Sequence, residues 1–148
     1  MNILTFYNNK EKQEIIFSAY NKPKYKTNNI VINDNTIFEH SNVCVDDLKL
    51  NLIWKDDILV NVEYEISGCA IFSASVDLMI DLIINKSKKS IKKIIDLYFF
   101  MINGKKLNDE EIILLEKLMV FENVKVHYNR LECASIIHRA LLKVLNDK

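Results

Sequence analysis

The sequence predicts an α+β fold in which a small antiparallel β-sheet packs against several α-helices. Three observations carry this. Residues 48–54 and 58–66 alternate apolar and polar side chains with the period of two that a half-buried strand requires. Residues 70–84, 90–102 and 133–145 instead repeat their apolar side chains at helical spacing. The strand-like runs all precede Gly68 and most helical runs follow it, an order that fits α+β rather than alternating βαβ units.

Taken along the chain, residues 9–20 (NKEKQEIIFSAY) place Ile15, Ile16 and Tyr20 at helical spacing. Asn8 and Glu11 offer a capping box, and the segment ends before Pro23. Short β-rich runs follow at 30–32 (IVI), 36–40 (TIFEH), 48–54 (LKLNLIW) and 58–66 (ILVNVEYEI). Leu48, Leu50, Leu52 and Trp54 fall on one face, as do Ile58, Val60, Val62, Tyr64 and Ile66, and Asp56 with Asp57 supplies the hairpin turn. Residues 70–84 are apolar nearly all round, with only Asp77 and Asp81 marking a polar side, so this helix is mostly buried. The next helix, 90–102, is stopped at Asn103 and Gly104 by an expected left-handed residue. Another begins at Asn108, with Glu111 closing its capping box, and runs to about Val120. Residues 123–132 (NVKVHYNRLE) read as extended or irregular, and the last helix covers 133–145 with a stripe of Ile136, Ile137, Ala140, Leu141, Val144 and Leu145.

At 148 residues the chain has the size of one domain, 1–148, able to bury about 70% of the surface its unfolded form exposes. Neither a disulfide nor a metal is needed for folding. Twenty Lys and Arg balance twenty Asp and Glu, so no global field draws the chain to nucleic acid or to an anionic membrane. An odd cysteine count, no signal-peptide core and no apolar run of about 18 residues point to a reducing, cytoplasmic setting in which thiols stay free.

Cys44, Cys69 and Cys133 each stand where secondary structure changes: between two strands, at a strand-to-helix junction after Gly68, and at the first turn of the last helix. A helix N-terminus favours thiolate over thiol, which suits a nucleophile or a metal ligand. Three thiolates and a carboxylate complete a tetrahedral zinc site, and Asp46 is the natural carboxylate by its proximity to Cys44. The spacing alone leaves alternatives: reduced cysteines are commonly small buried hydrophobes, His40 and Asp47 compete as ligands, and His127 and His138 are weaker candidates.

In order and context these residues carry a resemblance. Cys44-Val45-Asp46 is similar to a C-G-D motif, and Gly68-Cys69-Ala70-Ile71-Phe72-Ser73-Ala74-Ser75 to G-C-x-x-S-x-A-S with one residue more before the first serine. Arg130-Leu131-Glu132-Cys133-Ala134 is similar to R-[I/L]-x-C-[A/S], and Tyr20-Asn21-Lys22-Pro23-Lys24 to Y-x-N-P-[R/K] with Asn and Lys out of order. Over almost its whole length the chain resembles the SufU-type branch of the IscU-like (NifU N-terminal-like) iron-sulfur cluster assembly proteins. The long interval between Cys69 and Cys133, with an extra segment near residues 103–108, favours the SufU branch.

The resemblance implies a SufE/IscU-like fold and a zinc-dependent sulfurtransferase, or sulfur acceptor, that takes persulfide sulfur from a SufS-type, pyridoxal-phosphate-dependent cysteine desulfurase. Carried over by position, the zinc ligands are Cys44, Asp46, Cys69 and Cys133, with Cys44 the catalytic persulfide acceptor. The alternative is a scaffold that assembles a [2Fe-2S] cluster on the same residues and transfers it. The downstream partners are apo iron-sulfur proteins or a further scaffold. Tyr128, Asn129 and Arg130, with the loop around Cys44, form the surface expected to meet the desulfurase. Two departures stand out: Val45 replaces glycine in C-G-D, and Glu132 replaces the Lys or His before the last cysteine, removing a positive charge near the site whose loss would raise the Cys133 pKa or change partner docking.

Overall fold

The computed structural model describes residues 7–43 and 45–145. Helix α1 (Asn9–Asn21) begins as the sequence predicts: the Asn8 side chain accepts the Glu11 N–H at 2.8 Å and the Glu11 carboxylate accepts the Asn8 N–H at 2.9 Å. Three antiparallel strands follow, β1 (Ile37–His40), β2 (Asp47–Lys55) and β3 (Ile58–Ser67), in the order β1-β2-β3. The β2–β3 turn is made by Asp56 (φ 50°) and Asp57 (φ 71°), the two left-handed residues that a tight hairpin with native twist requires.

Two parts of the strand reading change. Opposite Ile53 and Trp54 the register shifts, Ile53 pairing with Asn61 and Trp54 with Leu59, so Val60 is an extra residue. The shift turns Leu59 into the core and Val60 toward solvent, against the uniform alternation expected for 58–66. Residues 30–32 form no strand. The Ile30 N–H donates to the Glu65 carboxylate at 3.3 Å and the Val31 carbonyl accepts from the Asn51 amide at 2.8 Å, so side chains of the sheet take backbone groups that a ladder would otherwise use.

Helix α2 (Ala70–Ile83) is buried along most of its length, and α3 (Lys88–Ile102) follows it and stops at Gly104, whose φ of 93° is the expected left-handed exit. Helix α4 (Asp109–Leu115) has the expected Asn108–Glu111 capping box but ends five residues early, at Glu116 with φ 49°. The left-handed Glu116 breaks the α-helix there, and the 3-10 segment Glu116–Phe121 that follows carries Leu118, Met119, Val120 and Phe121 into the core.

Helix α5 spans Tyr128–Leu145 and therefore starts five residues before the predicted boundary at 133. Val124 and Val126, in the piece expected to be extended or irregular, lie in a 3-10 turn, and the Leu131 N–H already bonds the His127 carbonyl at 3.0 Å. Cys133 consequently sits in the second turn of α5 rather than the first. Tyr98 of α3 fixes that turn by donating its hydroxyl to the Ala134 carbonyl at 2.8 Å, with its ring edge-on to Phe121.

Helices and sheet are joined through the polar side of α2. Asp77, 3% exposed, accepts the Lys24 N–H at 3.0 Å, the Tyr25 N–H at 3.1 Å and the Tyr64 hydroxyl at 2.9 Å. Asp81 accepts the Tyr25 hydroxyl at 3.0 Å and pairs with the Lys24 ammonium at 3.3 Å. The Pro23-containing segment is thus held between α2 and β3 by one buried carboxylate. Asp77→Ala leaves two backbone donors and a buried hydroxyl without their acceptor, and it is expected to cost about 3 kcal/mol in urea unfolding, with Tyr64→Phe near 1 kcal/mol. Equal effects of the two variants would contradict this assignment.

Candidate metal centre

Three chain segments meet at one end of the sheet. Asp46 immediately precedes β2, and its backbone carbonyl accepts the Ser41 N–H at 3.0 Å, closing the loop that joins β1 to β2. Its side chain turns inward and is 4% exposed. Oδ1 accepts the Cys69 N–H at 3.2 Å, and Oδ2 accepts the Cys133 thiol proton at 3.3 Å. The sulfurs of Cys69 and Cys133 are themselves 3.3 Å apart. The donor atoms of Asp46, Cys69 and Cys133 all lie within 4.8 Å of one another.

Each residue is placed by its element. Cys69 is the N-cap of α2, with extended backbone, and its Sγ accepts the Phe72 N–H at 3.5 Å. This is the helix-terminus environment expected for it from the sequence. Cys133, in the second turn of α5, does not share that environment. Gly68 lets the pieces close: a Cβ there would overlap the Asp46 carboxylate and the Phe72 ring.

The electrostatics define what the cluster can hold. Burial, then the neighbouring Cys69 and Asp46, push the Cys133 thiol up, so in the metal-free chain it stays protonated and donates to Asp46. Two sulfurs and a carboxylate oxygen form the donor set that zinc takes, and a divalent cation would favour the thiolate that the bare cluster disfavours. The residues present therefore fit such an ion.

Of the other candidates, Asp47 is exposed at the start of β2, and His40 is exposed at the end of β1. Neither belongs to the cluster. His127 lies outside it too. His138 is buried against α3, its ring stacked on Phe99 with centroids 4.6 Å apart, and burial pushes its pKa down. Cys44 lies outside the described residues; its neighbours Val43 and Val45 are exposed. Tyr128 and Arg130 are exposed as well, and Arg130 lines a groove with Ile16, Phe17 and Ile71.

Glu132 differs most from its reading in the sequence. It is buried, accepts the Asn42 N–H at 2.7 Å, and receives both terminal nitrogens of Arg139 at 3.1 and 2.9 Å. Burial opposes its ionisation, but the bonds from Arg139 and Asn42 outweigh it and hold the carboxyl below its ordinary pKa. Its charge is taken up by Arg139, and the raised Cys133 pKa follows from burial, Cys69 and Asp46. The signal in the sequence was the seven-residue spacing of Glu132 and Arg139, which puts both on one face of α5.

The profile of the NifU-like N terminal domain family matches residues 11–145. The chain is 26% identical over 132 residues, 88% of its own length and 86% of the relative's, to the zinc-dependent sulfurtransferase SufU of Bacillus subtilis (strain 168). Its structure is similar, at a TM-score of 0.75 and 26% identity, to a putative iron-sulfur cluster assembly scaffold protein for the SUF system from Fervidobacterium islandicum AW-1, covering 89% of this chain and 94% of that one. A nitrogen-fixing NifU-like protein (N-terminal) from Brucella abortus shares the fold at a TM-score of 0.75 and 16% identity, over 90% of each chain.

Gly68→Ala is expected to displace the Asp46 carboxylate, lower stability by about 1–3 kcal/mol through overpacking, and weaken zinc binding about 10- to 100-fold by misplacing a donor. Urea unfolding and competition with a chromogenic zinc chelator measure the two effects. Unchanged affinity would show that Asp46 needs no glycine to hold its place.

Proposed function

This chain belongs to the family of NifU-like N-terminal domains, and from that premise we propose that it is a zinc-dependent sulfur acceptor for iron-sulfur cluster assembly, taking persulfide sulfur from a pyridoxal-phosphate-dependent cysteine desulfurase. The observation that supports this best is the convergence of Asp46, Cys69 and Cys133 on one point. Cys44, two residues before Asp46 in the same loop, is the proposed fourth ligand and the working thiol. Bound zinc would supply positive charge that keeps these thiols ionised at neutral pH.

The chain's own residues divide the labour. Cys69 and Cys133 stand on α2 and α5, where Phe72, Asp46 and Tyr98 fix their surroundings, and act as anchors. Cys44 acts as the nucleophile: its thiolate attacks the outer sulfur of the desulfurase persulfide, the S–S bond of the donor breaks, and the donor cysteine leaves as a thiolate. Cys44 then carries the persulfide. Exposed Val43 and Val45 on either side give the donor an apolar approach to that position.

A second reading is favoured by the likeness to the Fervidobacterium protein, described as a scaffold. Thiolates are the usual ligands of a [2Fe-2S] cluster, and a carboxylate among them makes a cluster easier to give up. No described helix is long and apolar enough to cross a membrane.

Purified protein is expected to contain one zinc per chain and, after incubation with a SufS-type desulfurase and cysteine, to gain one sulfur on Cys44 in peptide mass spectra. Cys44→Ser is expected to abolish both that mass increase and the stimulation of desulfurase turnover, by about 100-fold or more as for loss of a nucleophile. A Cys44→Ser protein that still stimulates turnover would sink the proposal. Reconstitution and transfer of a [2Fe-2S] cluster without stimulation would instead support the scaffold reading.

A further inference from the structure

Strand β1 is an edge strand, and its outer edge meets α5 rather than another strand. The Lys143 ammonium donates to the Phe38 carbonyl at 2.7 Å, and Arg139 Nη2 donates to the His40 carbonyl at 3.2 Å. The Asn42 N–H continues the series into the Glu132 carboxylate at 2.7 Å. Positions 38, 40 and 42 alternate along one edge of an extended chain, while 132, 139 and 143 lie seven and four apart on one helix face. A strand period and a helix period are thus matched by three side chains of α5, and Lys143 adds an ion pair to Glu39 at 3.1 Å.

The zipper ends at the loop between β1 and β2. That loop is gripped at its entry by Glu132, through Asn42, and at its exit by Cys133, through Asp46. The two gripping residues are consecutive on α5, so one turn of one helix sets the positions of both ends of a loop that has Cys44 in its middle. Arg139 in turn fixes the Glu132 carboxylate by bonding both of its oxygens, a bidentate arrangement that restricts rotation.

We propose that Glu132, oriented by Arg139, is a positioning residue that holds the entry of the loop carrying Cys44 in register with Cys133, and so sets how readily the Cys44 thiol meets an electrophile. The assignment rests on the reading of Cys44 as the working thiol. It gives Glu132 a purpose other than tuning the charge of its neighbour: it ties down the entry to the loop.

The test is the alkylation rate of each cysteine by iodoacetamide in the reduced, metal-free chain, resolved by peptide mass spectrometry. Neither metal nor desulfurase takes part, so failure of sulfur transfer leaves this measurement unaffected. In Glu132→Ala, Cys44 is expected to react about tenfold faster, the ratio that loss of one charge-assisted hydrogen bond supports, while Cys69 and Cys133 keep their rates. Glu132→Gln keeps an oxygen for the Asn42 N–H and is expected to stay within about threefold of the parent. Arg139→Met, which removes the orienting group and leaves the carboxylate, provides an independent variant if Glu132→Ala does not fold, with a Cys44 acceleration of about threefold expected. An unchanged Cys44 rate in Glu132→Ala, or in Arg139→Met if that variant stands in, overturns the proposal. Equal acceleration of all three cysteines overturns it too, because general loosening of the fold gives that result.

Discussion

The carboxylate of Asp46 is where the sheet, the buried helix α2 and the last helix α5 come together. One oxygen receives the backbone N–H that opens α2 and the other receives the Cys133 thiol, while the backbone of the same residue closes the loop from β1. A buried carboxylate with such partners is costly to disturb, since removing any one of them leaves an acceptor dry and unpaired. Gly68 has no side chain because Asp46 fills that space. Cys69 and Cys133 are therefore held at distances fixed by hydrogen bonds, before any ion is considered.

A second buried carboxylate, Asp77, does for the middle of α2 what Asp46 does for its start. Both accept backbone N–H groups from segments distant in sequence, and both keep the sheet aligned with the helix layer. The α5 zipper completes the frame on the far edge. Its cationic side chains occupy the carbonyls of β1 that would otherwise template another strand, so protection of the sheet edge and placement of the loop use the same contacts.

What was legible in the sequence is what depends on neighbouring residues. The capping boxes at Asn8 and Asn108, the left-handed exit at Gly104 and the Asp56-Asp57 hairpin are local devices, and all are present. The displaced boundaries depend on packing instead. The 3-10 segment after α4 carries four successive apolar residues into the core, and residues 30–32 answer to Asn51 and Glu65 rather than to a strand partner. In the cluster, Asp46, Cys69 and Cys133 were recognisable as motif residues, but their meeting joins positions 87 apart. The partners of Glu132 were hidden for the same reason: Asn42 is 90 residues away, and only the folded chain puts the two together.

The convergence of Asp46, Cys69 and Cys133 is proposed to be a metal centre completed by Cys44. Zinc K-edge X-ray absorption of the protein as purified tests it most directly. Three sulfur neighbours at about 2.3 Å and one oxygen at about 2.0–2.2 Å are the expected shell, with the oxygen contribution lost or replaced in Asp46→Ala. A first shell of nitrogen and oxygen alone, or a spectrum that Asp46→Ala and Cys133→Ser leave unaltered, would contradict it.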